Sequence, residues 1–409
     1  MTSGSQTVRL RLGAERDDRE VELPLPAGWD VTVCPMQDRP ALTPDGIAKA
    51  LAKPAGAEPI SQAARGARKA VLLVDDFRRP TPAETLCLAV IDELEAAGLT
   101  KQQITIVLGN GAHRPMNRRE TRARLGAALD RVGEVVSHDA YSPKVKYVGL
   151  TSQGTPVLVN AAAADADFIL SMSTVYPHHL VAWGGGAKMV VPGIAHVSTI
   201  HCHHGRLKGG VWTSAPGVSP ARRDLEEAGA LLGLNYSLCV VVNSQKEMCG
   251  LFAGEPTKAH RRAVAFARKV GDTPMPGDKL DLVIANAYPL DGDGTQYSKA
   301  QNPVRQFKVP TLILSDFADP STYHGLYDGP LDEYKKRPVL QAPAHTDELL
   351  MRAPVFFYSP QYGAGFMPPD RSWYGDSDWE RLMADMSRRF TQARVAVLPA
   401  APLQIPRIV

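Results

Sequence analysis

Apolar positions along this chain follow two rhythms, one of period two and one close to 3.6. Val8 to Leu25 alternates apolar and charged residues, as in a half-exposed hairpin. A turn-rich stretch follows. At Ala70-Val71-Leu72-Leu73-Val74 the alternation gives way to a short unbroken apolar run, the mark of a parallel strand covered on both faces. Beyond the loop Asp75-Asp76-Phe77-Arg78-Arg79-Pro80, the residues Leu86, Val90, Ile91 and Leu94 share one helical face. Thr81 is expected to cap that helix, with Pro82 in its first turn, Glu84 completing a capping box and Gly98 as the stop. Ile104 to Leu108 reads as a second buried strand, which makes a right-handed βαβ unit. A helical stretch near Arg118–Val132, strands at Phe168–Met172 and Leu238–Val242, and a helix at Thr257–Val270 continue the series.

Gly271 to Asp278 has linker composition, and the pattern restarts beyond it. Strands are expected at Leu280–Ala285, Thr311–Ser315, Val355–Tyr358 and Val395–Leu398, with helices after Tyr297 and at Trp379–Ala393. The fold class is therefore α/β: two α/β domains with largely parallel sheets, covering residues 1–272 and 277–409.

Composition narrows the function. A chain of 409 residues is long enough for two cores. Its net charge of +3 gives no reason to expect nucleic acid or an anionic membrane as a partner. The five cysteines are scattered, odd in number and form no CxxC pair, which fits reduced thiols. Met1 to Arg9 has no apolar core of a secretory signal, and no apolar run reaches the roughly 18–20 residues of a membrane span. The reading is a cytoplasmic soluble protein; the oligomeric state is not legible.

Ligands of open parallel sheets bind beyond the carboxyl ends of the strands. Three such ends here carry chemistry. The first holds Asp76, Arg78 and Arg79, where an arginine fork and a helix N-terminus form an anion cradle or, equally, a solvated turn. The second, Gly111-Ala112-His113-Arg114-Pro115, offers His113 as a general base, a metal ligand or a loop filler. The third opens a histidine-rich region, with His178 and His179, Gly184-Gly185-Gly186, Lys188, His196, and His201-Cys202-His203-His204. Six of the chain's eleven histidines lie there. The glycines permit close backbone approach to a ligand, and Lys188 ends the loop as a cation or nucleophile. A Walker A loop is ruled out, because Ala187 and Met189 break its pattern.

In order and spacing these residues resemble the nickel-dependent lactate racemase family. Asp76-Phe77-Arg78-Arg79-Pro80 is similar to that family's Asp-x-Thr-Arg-Pro loop, with Arg78 in place of the usual Thr. Gly111-Ala112-His113-Arg114-Pro115 is similar to its Gly-x-His-Arg-Pro segment. Pro177-His178 lies ten residues before Lys188, and His204 sixteen after it, as in the family. Tyr288-Pro289-Leu290-Asp291, followed by Gln296 and Lys299, resembles its second-domain signature.

The resemblance implies a racemase or epimerase that inverts C2 of a 2-hydroxy acid. It implies a nickel cofactor, Ni(II)-pyridinium-3,5-bisthiocarboxylate mononucleotide, held covalently on Lys188 with His204 as the metal ligand. Asp76, Arg78, Arg79, Gly185 and Gly186 would bind the cofactor. His113 and His178 would exchange the hydroxyl proton, one for each enantiomer. Arg79, Gln296 and Lys299 would bind the substrate. The site is then expected in the cleft between the domains, with the second domain closing over it. Such chemistry avoids deprotonating a carbon beside a carboxylate, because the carbon's hydrogen leaves as hydride to the cofactor and a 2-keto acid forms transiently. His179, adjoining His178, could exchange roles with it. A C2-epimerase of an aldonate would use the same residues. A zinc-dependent hydrolase built on His201–His204 and a non-catalytic anion binder are the remaining alternatives.

Overall fold

The computed structural model describes residues 6–206, 218–277, 279–293, 296, 298–304, 307–316, 323–336, 354–361 and 373–409. Tyr297 and Asp278 lie outside them. The chain divides into two compact units. One comprises Arg39–Ala267 and His324–Leu331; the other comprises Met1–Asp38, Arg268–Tyr323 and Asp332–Val409. No helix among the described residues is long and apolar enough to cross a membrane.

The unit of residues 39–267 is built on a six-stranded sheet. Its order is Met248–Gly254, Tyr236–Val242, Phe168–Thr174, Ala70–Asp75, Ile104–Gly109, Glu134–Ser137. Every pairing is parallel except that of the edge strand Met248–Gly254, which runs antiparallel to Tyr236–Val242. All six residues of Ala70–Asp75 are buried, which is why that run is apolar without alternation. Leu86, Val90, Ile91 and Leu94 are fully buried on the helix Ala83–Ala96, as their spacing requires.

The order of these strands creates a crevice. From Ala70–Asp75 the chain moves outward to Ile104–Gly109 and Glu134–Ser137, then returns to the other side at Phe168–Thr174. The connections after Ala70–Asp75 and Phe168–Thr174 therefore leave in opposite directions, and a ligand site opens at such a switch point.

The second unit has an all-parallel sheet in the order Trp373–Asp376, Val355–Tyr358, Thr311–Leu314, Leu282–Asn286, Ala393–Leu398, Trp29–Val33. The last of these strands comes from the start of the chain. The hairpin Gln6–Leu12 with Arg19–Leu25 forms as its alternation predicts, and its apolar side joins the core of this unit. Val8, Leu10, Leu12, Leu23 and Leu25 pack with Leu282, Ile284, Leu382 and Val395. Trp379 Nε1 donates to the Pro24 carbonyl at 2.7 Å, and Trp29 Nε1 to that of Phe390 at 2.8 Å. Residues 1–38 thus group with the C-terminal part and not with 39–267, which the span 1–272 does not express.

Three local expectations are corrected. Thr81 does not cap the helix Ala83–Ala96, which has Pro82 at its N-cap. The Thr81 hydroxyl instead donates to Asp75 at 2.6 Å and meets Thr174 Oγ1 at 2.7 Å. The helical stretch from Arg118 is α-helical only to Leu125, because Gly126 takes a positive φ of 49° and a 3-10 segment follows. The linker-like stretch contains a strand, Asp272–Met275, parallel to Ile405–Ile408, with Thr273 and Met275 buried. Pro274 is tolerated there because the ribbon has only two strands.

Candidate active site

Pairing of Ala70–Asp75 with both Ile104–Gly109 and Phe168–Thr174 brings the three loops expected to carry chemistry to one edge of the sheet. Asp76 is buried there and lies 2.6 Å from His113 Nδ1. A carboxylate only accepts, so the His113 Nδ1 carries the proton and Nε2 presents a lone pair. Burial pushes the Asp76 carboxyl up, but the charge and hydrogen bond of His113, with Arg79 and Arg78, outweigh it and hold Asp76 well below the usual carboxylate range. Burial lowers the His113 imidazole, and the upward pull of Asp76 does not fully offset it. Above the His113 range the pair is a neutral histidine held by an ionised aspartate; once the imidazole takes a proton, its charge keeps Asp76 ionised.

The arginines of the first loop have different settings. Arg78 is fully buried, with Nη1 3.3 Å from Asp76 and its guanidinium 4.4 Å from the centre of the Phe77 ring. Arg79 lies 3.8 Å from the other Asp76 oxygen and 5.8 Å from the Tyr176 ring centre. Arg124, which sequence reasoning missed, pins the loop by donating to the carbonyls of Asp75 and Arg79 at 3.2 and 3.0 Å and pairing with the Asp75 carboxylate. Arg114 has a structural part. It forks onto Glu120 at 2.8 and 2.7 Å, and Glu120 completes a capping box with Asn117.

Pro177-His178 and Ala182-Trp183 form a two-residue antiparallel ribbon that turns His178 inward. His178 Nε2 is 3.0 Å from the Lys188 Nζ. The Leu180 N–H donates to His178 Nδ1 at 3.2 Å, so a neutral His178 carries its proton on the nitrogen that faces the lysine. His179 stacks on His178 at 4.7 Å between centroids.

The glycine loop is fastened by its carbonyls. Arg222 donates to Gly185 O at 2.9 Å and to Trp183 O at 3.3 Å, and the His260 Nε2 to Gly184 O at 2.9 Å. Arg222 is neutralised by Glu226 at 2.7 Å, which also receives Arg261 at 2.8 Å. Gly185 and Gly186 have φ of 78° and 62°. A Cβ at Gly185 would lie 2.8 Å from Val175 Cγ2, and one at Gly186 3.0 Å from an Arg222 nitrogen, so neither position admits a side chain without movement. Arg222 and His260 sit on helices with no motif of their own, and only the tertiary structure reveals them.

His203 and His204 lie on the helix Val197–Arg206, their Nδ1 atoms 3.2 Å apart. His204 is partly exposed, and burial, then the charges of His203, Lys188 and His179, hold its imidazole well below the usual histidine range. His201 points to solvent. No group of three or more His, Cys, Asp or Glu among the described residues is arranged to hold a metal ion by itself.

A further histidine joins the site unannounced by any motif. His324 stands 5.5 Å from His113, edge to face, in a segment tied to the same unit by Gly325 N–H donating to the Ala112 carbonyl at 2.6 Å. Gln296 and Lys299 are buried in the other unit. Their neighbour Asp291 accepts from the N–H groups of Gly13 and Ala14 at 2.7 and 3.2 Å, which secures the N-terminal hairpin. Burial pushes its carboxyl up to about 6.

Residues 17–211 match the family model of the lactate racemase N-terminal domain. Over this stretch the chain is similar to lactate racemases. It is 27% identical over 253 residues to the lactate racemase of Thermoanaerobacterium thermosaccharolyticum, covering 60% of this chain and 59% of that protein. It is 26% identical over 254 residues to that of Lactiplantibacillus plantarum, covering 60% and 58%. The alignments thus span less than two thirds of either relative. The fold is that of the lactate racemase apoprotein from T. thermosaccharolyticum, with a TM-score of 0.71 at 20% identity over 98% of this chain and all of that one. A crystal structure of a Thermotoga maritima protein is also similar, at TM-score 0.60 and 16% identity over 86% and 96%.

Proposed function

We propose that this racemase relative is an isomerase that inverts the C2 centre of a 2-hydroxy acid with a nickel pincer nucleotide anchored on Lys188. The observation that carries the reading is the meeting, at one sheet edge, of the Asp76–His113 pair with the His178–Lys188 contact. The residues fit the group. His204 is a single partly exposed imidazole, suited to a metal whose other donors come from the cofactor, and Ni(II) accepts such a nitrogen. A lysine amine that receives an N–H from histidine is the nucleophilic form. Gly185 and Gly186 leave the room that a Cβ would take.

When bound, the group supplies a reversible hydride acceptor. The chain does the rest. His113, its Nδ1 proton held by Asp76, takes the substrate hydroxyl proton at Nε2. The family motif assigns His178 the corresponding part for the opposite enantiomer. Arg79 neutralises the substrate carboxylate. Gln296 and Lys299 are assigned to the substrate by the family motif. Arg78, Arg79, Asp76, Gly185 and Gly186 are assigned to the cofactor. The protein is read as cytoplasmic.

An aldonate as substrate has one observation in its favour. The side-chain amides of Gln301 and Asn302 are buried, close in sequence to Lys299, and have no hydrogen-bond partner among the described residues. Such groups would suit the extra hydroxyls of a sugar acid.

The test is intact mass and nickel content of protein co-expressed with cofactor biosynthesis, followed by incubation with lactate and aldonates and chiral analysis. Added mass on the Lys188 peptide, stoichiometric nickel and loss of optical purity at C2 are expected. Active protein lacking both adduct and nickel would overturn the reading.

A further inference from the structure

The helix Val197–Arg206 offers two adjacent histidines, and only one has been given a task. His203 is fully buried, and its Nε2 donates to the Ala221 carbonyl at 2.9 Å. A carbonyl can only accept, so Nε2 bears the His203 proton and Nδ1 of the neutral ring bears a lone pair. That lone pair lies 3.2 Å from His204 Nδ1. The His204 proton must then sit on Nδ1, and its Nε2 is left with the lone pair.

Asp224 borders the first link. It is fully buried, 3.9 Å from His203 Nε2, and accepts from the hydroxyls of Thr151 and Thr155. Each carboxylate oxygen receives one hydroxyl, and the Ala221 carbonyl, at 2.9 Å against 3.9 Å, is the acceptor within hydrogen-bond reach of the imidazole proton.

We infer that His203 is a positioning residue: through the chain Ala221 carbonyl, His203, His204, it fixes His204 as the Nδ1–H tautomer and so reserves His204 Nε2 for a metal. The inference rests on the reading of His204 as nickel ligand. Second partners that set the tautomer of a ligating histidine are a general device of metal sites. Here the partner is another imidazole, held by a backbone carbonyl.

The full-length chain, 15N-labelled at histidine, tests this without the cofactor. Wild-type His204, assigned by comparison with His204→Ala, should show a protonated Nδ1 and an unprotonated Nε2 in long-range 1H–15N spectra. His203→Phe should shift His204 toward the Nε2–H tautomer, and His203→Asn, whose Oδ1 replaces the Nδ1 acceptor, should restore it. In protein loaded with cofactor, His203→Phe should weaken nickel retention about 10–100-fold, with His203→Asn closer to wild type. A wild-type His204 that carries its proton on Nε2 overturns the inference, even if nickel binds and the variants prove unstable. Nickel retained by His204→Ala would instead overturn the assignment of the ligand, while the tautomer result stands.

Discussion

Asp76 and His113 hold each other in one protonation state, and that fixes what each can do. The aspartate stays ionised far into the acid range because the charge of His113 and the arginines overcomes its burial, while burial lowers the imidazole. A base whose pKa is lowered keeps its lone pair below the ordinary histidine range. The rate with the enantiomer that uses His113 is therefore expected to hold as pH falls through 6.5, the unperturbed histidine value, and to decline only at lower pH. Initial rates with each enantiomer across pH would show it, and an acid limb at or above that value would contradict it. Asp76→Asn should reduce kcat about 10²–10⁴-fold, since the amide no longer selects the Nδ1–H tautomer. An unchanged rate would mean that His113 is not the base.

Secondary elements without motifs of their own hold the glycine loop. The helices Pro220–Leu232 and Pro256–Val270 present Arg222 and His260, and both donate to carbonyls of residues 183–185. Arg222 is buried, so its charge depends on Glu226. Glu226→Ala would leave that guanidinium buried without a carboxylate, at a cost of about 3–5 kcal/mol. A lowered Tm by calorimetry and a drop in cofactor loading on Lys188 are expected together. A loss of stability with full loading would show that the loop does not depend on this brace.

For the whole molecule, the consequential feature is that the first 38 residues complete the sheet of the C-terminal part. Five buried apolar side chains of the hairpin contribute on the order of 10 kcal/mol at about 1.5–3 kcal/mol each. That is comparable with the whole stability of a domain, about 5–15 kcal/mol. A chain starting at Arg39 should therefore lose protease resistance and amide protection in the strands Leu282–Asn286, Thr311–Leu314, Val355–Tyr358 and Ala393–Leu398, while 39–267 keeps both. Hydrogen exchange by mass spectrometry would distinguish this from a uniform loss.

The sequence by itself determined the α/β class, most of the strands, the face of the helix Ala83–Ala96 and the order in which candidate residues for chemistry occur. These depend on local periodicity and on side-chain types in order, which a single chain displays directly. His113, His178 and Lys188 were legible because their neighbours in sequence carry recognisable spacings. The tertiary structure alone decided which loops meet, since that follows from the strand order and its reversal beside Ala70–Asp75. It also decided that Thr81 serves Asp75 and not a helix end, because a hydroxyl takes the strongest acceptor within reach. Arg124, Arg222, His260, His203 and His324 were invisible in the sequence for the same reason. Each acts on a partner distant in the chain or through a backbone carbonyl, and neither leaves a pattern along the sequence.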